Sequence, residues 1–462
     1  MENILGRADG GALKLNIGSR DYLVHGTLLG APYPQTLSLE STNYCNLCCS
    51  HCGHSQYPGF RKGHFDMKYF DKVEHLLRCG IKGISLSNFG EPFVSRTWPD
   101  ILRRSLSVGG PGIFFITNGL LLDSHIPEVL NPRISMAISM DGASEETYGS
   151  FRGRGKFSRL TANLRLLKEA KSRGGVSYPE VTFLFTASRL NCRDLPSVVE
   201  MAHKFGVRGI VIQFQVFYDR ERFSRESLFF ARDEYDRSIM AARDRASELG
   251  ITLIHPDSFD GRHFVLRSLP DNQWIGRDSD GRIKCFSQSV ISYVKFNGAV
   301  EACCTPDHAV MGSLDFDTFE DIWHGPEYRR LRLSLDRGVL PETCRRCSLL
   351  QAIDVHDERA HLTELPADPL PERRPGPQRY RITELETSYQ EALSLLERDP
   401  ARALRVVEPL SGIDNNLYEV RNLRACLYGL LGDVPAMRGE FSRCASIAPK
   451  DPLIIHNCAQ DR

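Results

Sequence analysis

From Gln35 onward the chain alternates short apolar runs with longer stretches that carry apolar residues along one helical face. The runs predict strands at Thr36 to Ser41, Gly83 to Asn88, Ile113 to Thr117, Ile134 to Met140, Val181 to Ala187 and Gly209 to Gln215. The intervening periodic stretches predict helices at Met67 to Cys79, Asp100 to Ser107, Asp123 to Leu130, Phe157 to Lys171, Leu195 to Phe205 and Asp233 to Leu249. Runs such as Ile113-Phe114-Phe115-Ile116 are continuous rather than alternating, as in parallel strands buried on both faces, and repeated strand-helix units require right-handed crossovers. The expected core is therefore an α/β partial (β/α)6 barrel, whose chemistry belongs at the carboxyl ends of its strands.

Beyond the barrel the pattern changes. Two apolar runs, Val290 to Phe296 and Ala299 to Cys304, flank Asn297-Gly298 and predict a β-hairpin. A polar, proline-rich stretch up to Gln378 reads as a linker, and the residues after Gln378 have helical periodicity. On the 34-residue tetratricopeptide template set at Gly432, Tyr428, Phe441, Cys444 and Pro449 fall at the aromatic, small and proline positions, and Ala403, Val407 and Leu410 at core positions of the preceding window. The expected organisation is an N-terminal extension (1–34), the barrel (35–250), a small hairpin-and-helix domain (251–355), the linker (356–380) and a separable tetratricopeptide-like helical tail (381–462).

Composition narrows the class. The 462 residues include 58 basic and 58 acidic side chains, so no net field draws the protein to nucleic acid or an anionic membrane. No run of about 18 apolar residues occurs and the N-terminus lacks a charged-then-apolar signal, which points to the cytoplasm. Fourteen cysteines without a secretion signal favour metal or cluster binding over disulfides.

The cysteines are grouped. Cys45, Cys49 and Cys52 follow the first strand with the spacing C-x3-C-x2-C, which lets one loop present three thiolates to a 4Fe-4S cluster and leave one iron open. Cys285 and Cys303 would be brought together by the hairpin, and Cys344 and Cys347 add a C-x2-C pair; four thiolates fully ligate one cluster or one zinc. Cys48 and Cys304 have no place in either pattern and read as small buried fillers. Asn88-Phe89-Gly90-Glu91-Pro92 follows the second strand, Thr117-Asn118-Gly119 ends the third, and Ser139-Met140-Asp141-Gly142 the fourth. Asn118 and Asp141, each before glycine, are also ordinary turn formers.

With these motifs the stretch from about 35 to 350 resembles the radical S-adenosylmethionine (AdoMet) superfamily, and its second cysteine set resembles the twitch form of the attached SPASM domains. The resemblance implies that Cys45, Cys49 and Cys52 hold the AdoMet-binding 4Fe-4S cluster, that Cys285, Cys303, Cys344 and Cys347 hold one auxiliary 4Fe-4S cluster, and that His51, Gly90, Glu91, Ser139 and Asn191 contact AdoMet, with Glu91 facing its ammonium. Arg152 is the candidate for a further role in the pocket. The implied activity is reductive cleavage of AdoMet to a 5'-deoxyadenosyl radical that takes hydrogen from substrate, with electrons from a flavodoxin- or ferredoxin-type donor. Oxidation of a small polyhydroxylated metabolite, such as a sugar or aminocyclitol, is the first expectation. Maturation of a ribosomally made peptide is the alternative. A non-catalytic iron-sulfur scaffold with a partner-binding helical tail is the second alternative, against which the intact triad and Glu91 count.

Overall fold

The computed structural model describes residues 6–7, 12–30, 32–53, 61–261, 275–277, 283–304, 310–345, 347, 356, 358, 361–362 and 376–460. The chain forms two compact units. Most of the stretch expected to be a linker lies outside the described residues.

The first unit spans 34–309 and 342–374. The strands of its main sheet are β1 (Thr36–Leu39), β2 (Gly83–Ser85), β3 (Gly112–Thr117), β4 (Ile134–Ser139), β5 (Glu180–Ala187), β6 (Gly209–Phe214), β7 (Thr252–Ile254), β8 (Ile291–Val294) and β9 (Ala299–Glu301), in the spatial order β7-β6-β5-β4-β3-β2-β1-β8-β9, and Ile275–Arg277 pairs antiparallel with Ile283–Cys285 apart from it. The six expected strands are present and parallel. Helices α1 (Met67–Val73), α2 (Trp98–Val108), α3 (Ile126–Val129), α4 (Glu145–Arg152), α5 (Phe157–Gly174), α6 (Leu195–Phe205), α7 (Arg220–Glu226) and α8 (Arg232–Leu249) lie between and after them. The predicted hairpin forms as β8 and β9, but β8 also pairs in parallel with β1, Ile291 opposite Thr36, so the auxiliary segment extends the barrel sheet.

In β3, Ile113, Phe115 and Thr117 are buried; Phe115 stacks edge-on against Phe93 and Trp98. Phe114 and Ile116, on the other face, remain 39% and 36% exposed. A parallel strand buried on both faces would hide both rows, so this face of β3 is partly open, although Ala137, opposite Ile116 on β4, is buried.

The second unit joins 1–33, 310–341 and 375–462, segments that the sequence assigns to three separate regions. An antiparallel hairpin of Leu13–Ile17 and Arg20–Val24 packs with helices α9 (Pro326–Asp336), α10 (Ile382–Leu395), α11 (Pro400–Val407), α12 (Tyr418–Leu430), α13 (Val434–Ile447) and α14 (Pro452–Gln460). Leu15, Tyr22, Val24 and Leu28 share one core with Ala403, Val407, Leu410 and Phe441. The N-terminal extension and the helical tail are thus parts of one folded body, because the hairpin's apolar face is covered by those helices. Arg329 of α9 donates to Glu419 of α12 at 2.7 and 2.9 Å, a buried pair inside the same unit.

Candidate active site

Residues 40–43 leave β1 fully buried and are stitched to the far side of the cysteine loop. Thr42 Oγ1 donates to Gly63 O at 2.9 Å, while Asn43 Nδ2 donates to Arg61 O and Asn43 Oδ1 accepts from Gly63 N, both at 2.8 Å. On this base Cys49 is buried and Cys45 and Cys52 are half-buried, whereas Cys48, expected as a buried filler, is exposed because it points away from the packed side of the loop. The Cys52 N–H donates to Cys49 O at 3.2 Å, a tight turn that brings the last two thiols of the triad together. Burial pushes the Cys45 thiol up to about 12 and raises that of Cys49, where Arg152 opposes the shift. Such thiols ionise only beside a strong positive centre, which a bound iron cluster supplies.

The loop after β2 lies directly on this one. Gly90 has φ +86°, and a Cβ there would stand 2.6 Å from Thr42 O and 2.7 Å from Tyr44 O. Glu91 N–H donates to Tyr44 O at 2.8 Å. The Glu91 carboxylate is buried and accepts from Thr117 Oγ1 (2.6 Å), Asn118 N (2.8 Å) and Phe93 N (3.3 Å). Burial nevertheless pushes it up to about 7, with those three donors opposing. A buried carboxylate in that condition favours an added cation, as the ammonium of AdoMet would be.

At the end of β4, Ser139 is buried on the same strand face as Ala137, which pairs with Ile116. Asp141 is fully buried; its Oδ1 accepts from Thr186 N at 2.7 Å, and its Oδ2 accepts from Arg152 Nε and lies 3.8 Å from His51 Nε2. Arg152 Nη1 lies 3.8 Å from Cys49 Sγ. His51, 5.3 Å from the Phe151 ring, is pulled down to about 4 by burial, with Arg152 adding to the effect. Asn191 lies at the same strand ends, where its amide makes bonds within the chain. Its Nδ2 donates to Asp141 O and Thr186 O and its Oδ1 accepts from Ser188 N, so the amide ties the ends of β4 and β5 together.

Three members of the second cysteine set lie near one another. Cys303 and Cys347 both lie close enough to Cys285 to act on its thiol, which burial raises to about 11. Cys347 N–H donates to Cys344 O at 3.2 Å. Cys304 is part of this group: its thiol is hydrogen-bonded to Cys303 and to Tyr293 and is held well above its usual value, first by the Cys303 contact and then by burial. Among the described residues no three His, Cys, Asp or Glu side chains close on a point where a single metal ion would sit.

Residues 39–184 match the radical SAM superfamily and residues 285–348 match the SPASM iron-sulfur cluster-binding domain. The chain thus carries a radical SAM domain followed by a SPASM domain. It is 28% identical over 193 residues to the AdoMet-dependent heme synthase of Methanosarcina barkeri, covering 40% of this chain and 50% of that protein. It is 24% identical over 179 residues to the mycofactocin maturase MftC of Mycolicibacterium smegmatis, covering 38% and 44%. The chain thus spans about half the length of these curated relatives. It shares its fold with anSMEcpe, solved with bound AdoMet and the Cp18Cys peptide, at 16% identity and a TM-score of 0.51 over 82% of this chain and 100% of the other.

Other residues at this site escape a reading by motif. Among the described residues Asn88 Nδ2, Tyr148 Oη and Gln215 Oε1 are buried without a hydrogen-bond partner, as is Nδ1 of His51, which the motif does identify. Asn88 and Gln215 follow β2 and β6, and Tyr148 precedes Arg152 by one helical turn, so a polar cofactor laid across the strand ends would meet unsatisfied groups. Their positions at predicted strand ends, and the i, i+4 spacing of Tyr148 and Arg152, are the signals that could have found them. Arg222 of α7 is a different case: it donates to Ser50 O inside the cysteine loop while Glu226 holds its guanidinium at 2.7 Å. No sequence signal links positions so far apart.

Proposed function

We propose that this chain cleaves AdoMet reductively and uses the outcome to modify a peptide. The observation that carries the reading is the contact between two loops at the carboxyl ends of β1 and β2. Gly90 lets the Glu91 loop close on the backbone just ahead of Cys45, so a buried carboxylate and three thiols share one site. When bound, a 4Fe-4S cluster and AdoMet supply one-electron cleavage of the sulfonium and hydrogen-atom abstraction from substrate. The chain's own residues do the rest. Cys45, Cys49 and Cys52 hold the cluster, Glu91 receives the ammonium, Ser139 and the unpartnered Asn88, Tyr148 and Gln215 orient the remaining polar groups, and the packed loop base keeps water out.

A peptide is preferred to the small polyhydroxylated metabolite on two grounds. The relatives include a maturase, and a protein of the same fold holds a peptide beside AdoMet. The exposed Phe114 and Ile116 side chains of β3 offer an apolar surface where a small polyol would need an enclosing, donor-rich pocket. The auxiliary set of Cys285, Cys303, Cys344 and Cys347 suits a second cluster that carries electrons away from the modified residue.

The test is anaerobic reconstitution with iron and sulfide, then addition of a strong reductant. The wild-type protein should form 5'-deoxyadenosine and methionine, and Cys49→Ala should form neither, because no oxygen or nitrogen neighbour replaces a thiolate on soft iron. Cleavage at the wild-type rate by that variant would remove the reading. Short peptides encoded beside the gene should accelerate 5'-deoxyadenosine formation where a panel of sugars and aminocyclitols does not; acceleration by the panel alone would restore the metabolite reading.

A further inference from the structure

Arg152 ends α4 with its side chain 13% exposed and its guanidinium fork divided between a carboxylate and a cysteine sulfur. Nε donates to Asp141 Oδ2, and Nη1 reaches to 3.8 Å from the Sγ of Cys49, the buried member of the triad. The aim is fixed from behind. Asp141 is 0% exposed, its Oδ1 is held by Thr186 N–H at 2.7 Å, and its own backbone carbonyl is tied by Asn191. Tyr148, one turn earlier on α4, and His51 on the cysteine loop also lie within the field of this pair. A guanidinium keeps its proton across the whole working pH range, so the cation is permanent.

We infer that the Arg152–Asp141 pair sets the reduction potential of the cluster held by Cys45, Cys49 and Cys52. Reduction adds one electron, delivered by a low-potential one-electron donor of the flavodoxin or ferredoxin class, and no proton need accompany it into this dry site. The added negative charge is spread over the cluster and its thiolate sulfurs. A fixed guanidinium donating to one of those sulfurs stabilises the reduced state more than the oxidised one, and low polarisability around the site magnifies the difference. Asp141 acts in the opposite sense. It aims Arg152 and also places a negative charge behind it, so the two side chains form a dipole whose positive end faces Cys49. Arg152 is in this account a tuning residue, and Asp141, Thr186 and Asn191 position it.

The inference rests on the proposed function, through the assignment of the triad to a 4Fe-4S cluster, and the experiment separates the two. Reconstituted wild-type, Arg152→Gln, Arg152→Lys and Asp141→Asn proteins are equilibrated with mediators of known potential, without AdoMet. The reduced cluster is then counted by electron paramagnetic resonance, using the signal that changes when AdoMet is added to a parallel sample. Arg152→Gln should be about tenfold less reduced than wild type at the same ambient potential, which for a one-electron couple corresponds to about 59 mV downward. Arg152→Lys, which keeps the charge but loses the fork, should lie between them. Asp141→Asn should shift the other way, towards easier reduction. The signal from the auxiliary cluster should not move in any variant and serves as the internal control.

Opposite shifts from the two members of one ion pair are not a result that general loosening of the loop produces. An unchanged potential in Arg152→Gln, or downward shifts in both Arg152→Gln and Asp141→Asn, would overturn the inference while leaving the proposed function intact. Should Arg152→Gln fail to retain iron, Arg152→Lys and Asp141→Asn still decide the sign. A wild-type protein with no AdoMet-sensitive signal would instead overturn the proposed function.

Discussion

Glu91 is the residue on which cofactor recognition is most exposed to test. Its carboxylate already accepts three hydrogen bonds and is still pushed up to about 7 by burial, so its ionised form lacks a counter-charge. A carboxyl whose folded value lies above its unfolded one binds more protons when folded, so its contribution to stability falls as pH rises from the usual carboxylate range through about 7. An ammonium placed beside it reverses that trend. The rise in melting temperature caused by AdoMet should therefore grow between about pH 6 and pH 8, and binding near neutrality should release protons. Glu91→Gln keeps the shape and removes the charge: AdoMet should bind about 10- to 100-fold more weakly by calorimetry, and the pH trend should flatten. Wild-type affinity in that variant would reduce Glu91 to a turn-forming residue. Cys304 shows the limit of spacing arguments at this scale. It has no place in the cysteine pattern, yet its thiol touches Cys303.

Among the elements, the loop carrying Gly90 does most to assemble the site. Its φ is +86°, and the contacts at 2.6 and 2.7 Å are both with backbone, which cannot swing aside as a side chain can. Gly90→Ala should cost about 1–3 kcal/mol from the backbone conformation alone and separate the two loops. The expected outcome is a lower melting temperature with AdoMet binding lost, while the auxiliary set keeps its iron. Gly439, inside the helix Val434–Ile447, is the control, since a Cβ there meets nothing within 4 Å. Gly439→Ala should raise stability by about 0.5–1 kcal/mol. The β8–β9 hairpin argues for a second cluster in the same spirit. Wild type should bind about 8 iron atoms per chain, and the variant with Cys45, Cys49 and Cys52 all replaced by alanine about 4. Zinc without iron in the latter would make the auxiliary set structural and remove its role as an electron sink.

For the whole molecule, the proline-rich stretch before Gln378 suggests a tail that can be cut away, and the structure argues against it. Leu15, Tyr22, Val24 and Leu28 of the N-terminal segment are buried in the core formed with the C-terminal helices. Each such side chain is worth about 1.5–3 kcal/mol on burial. Leu23 is held at both its N–H and its C=O by the Asn457 side chain at 2.7 Å, so the last helix closes the edge of the hairpin. A chain ending at Gln378 should therefore aggregate or expose apolar surface, read by solubility and dye binding; a soluble, monodisperse product would show that the hairpin finds other cover. The barrel strands, their parallel arrangement and both cysteine sets were legible in the sequence, because each is written locally, in the period of apolar residues or the spacing of ligands along a few turns of chain. Pairing of β8 with β1, the use of Asn191 as a strand tie, the reach of Arg222 to Ser50 and the union of the two chain ends in one core were decided only by the tertiary structure. Those contacts join residues many tens to hundreds of positions apart, and a local pattern can say that a face is apolar or a side chain polar without saying which distant surface will cover it.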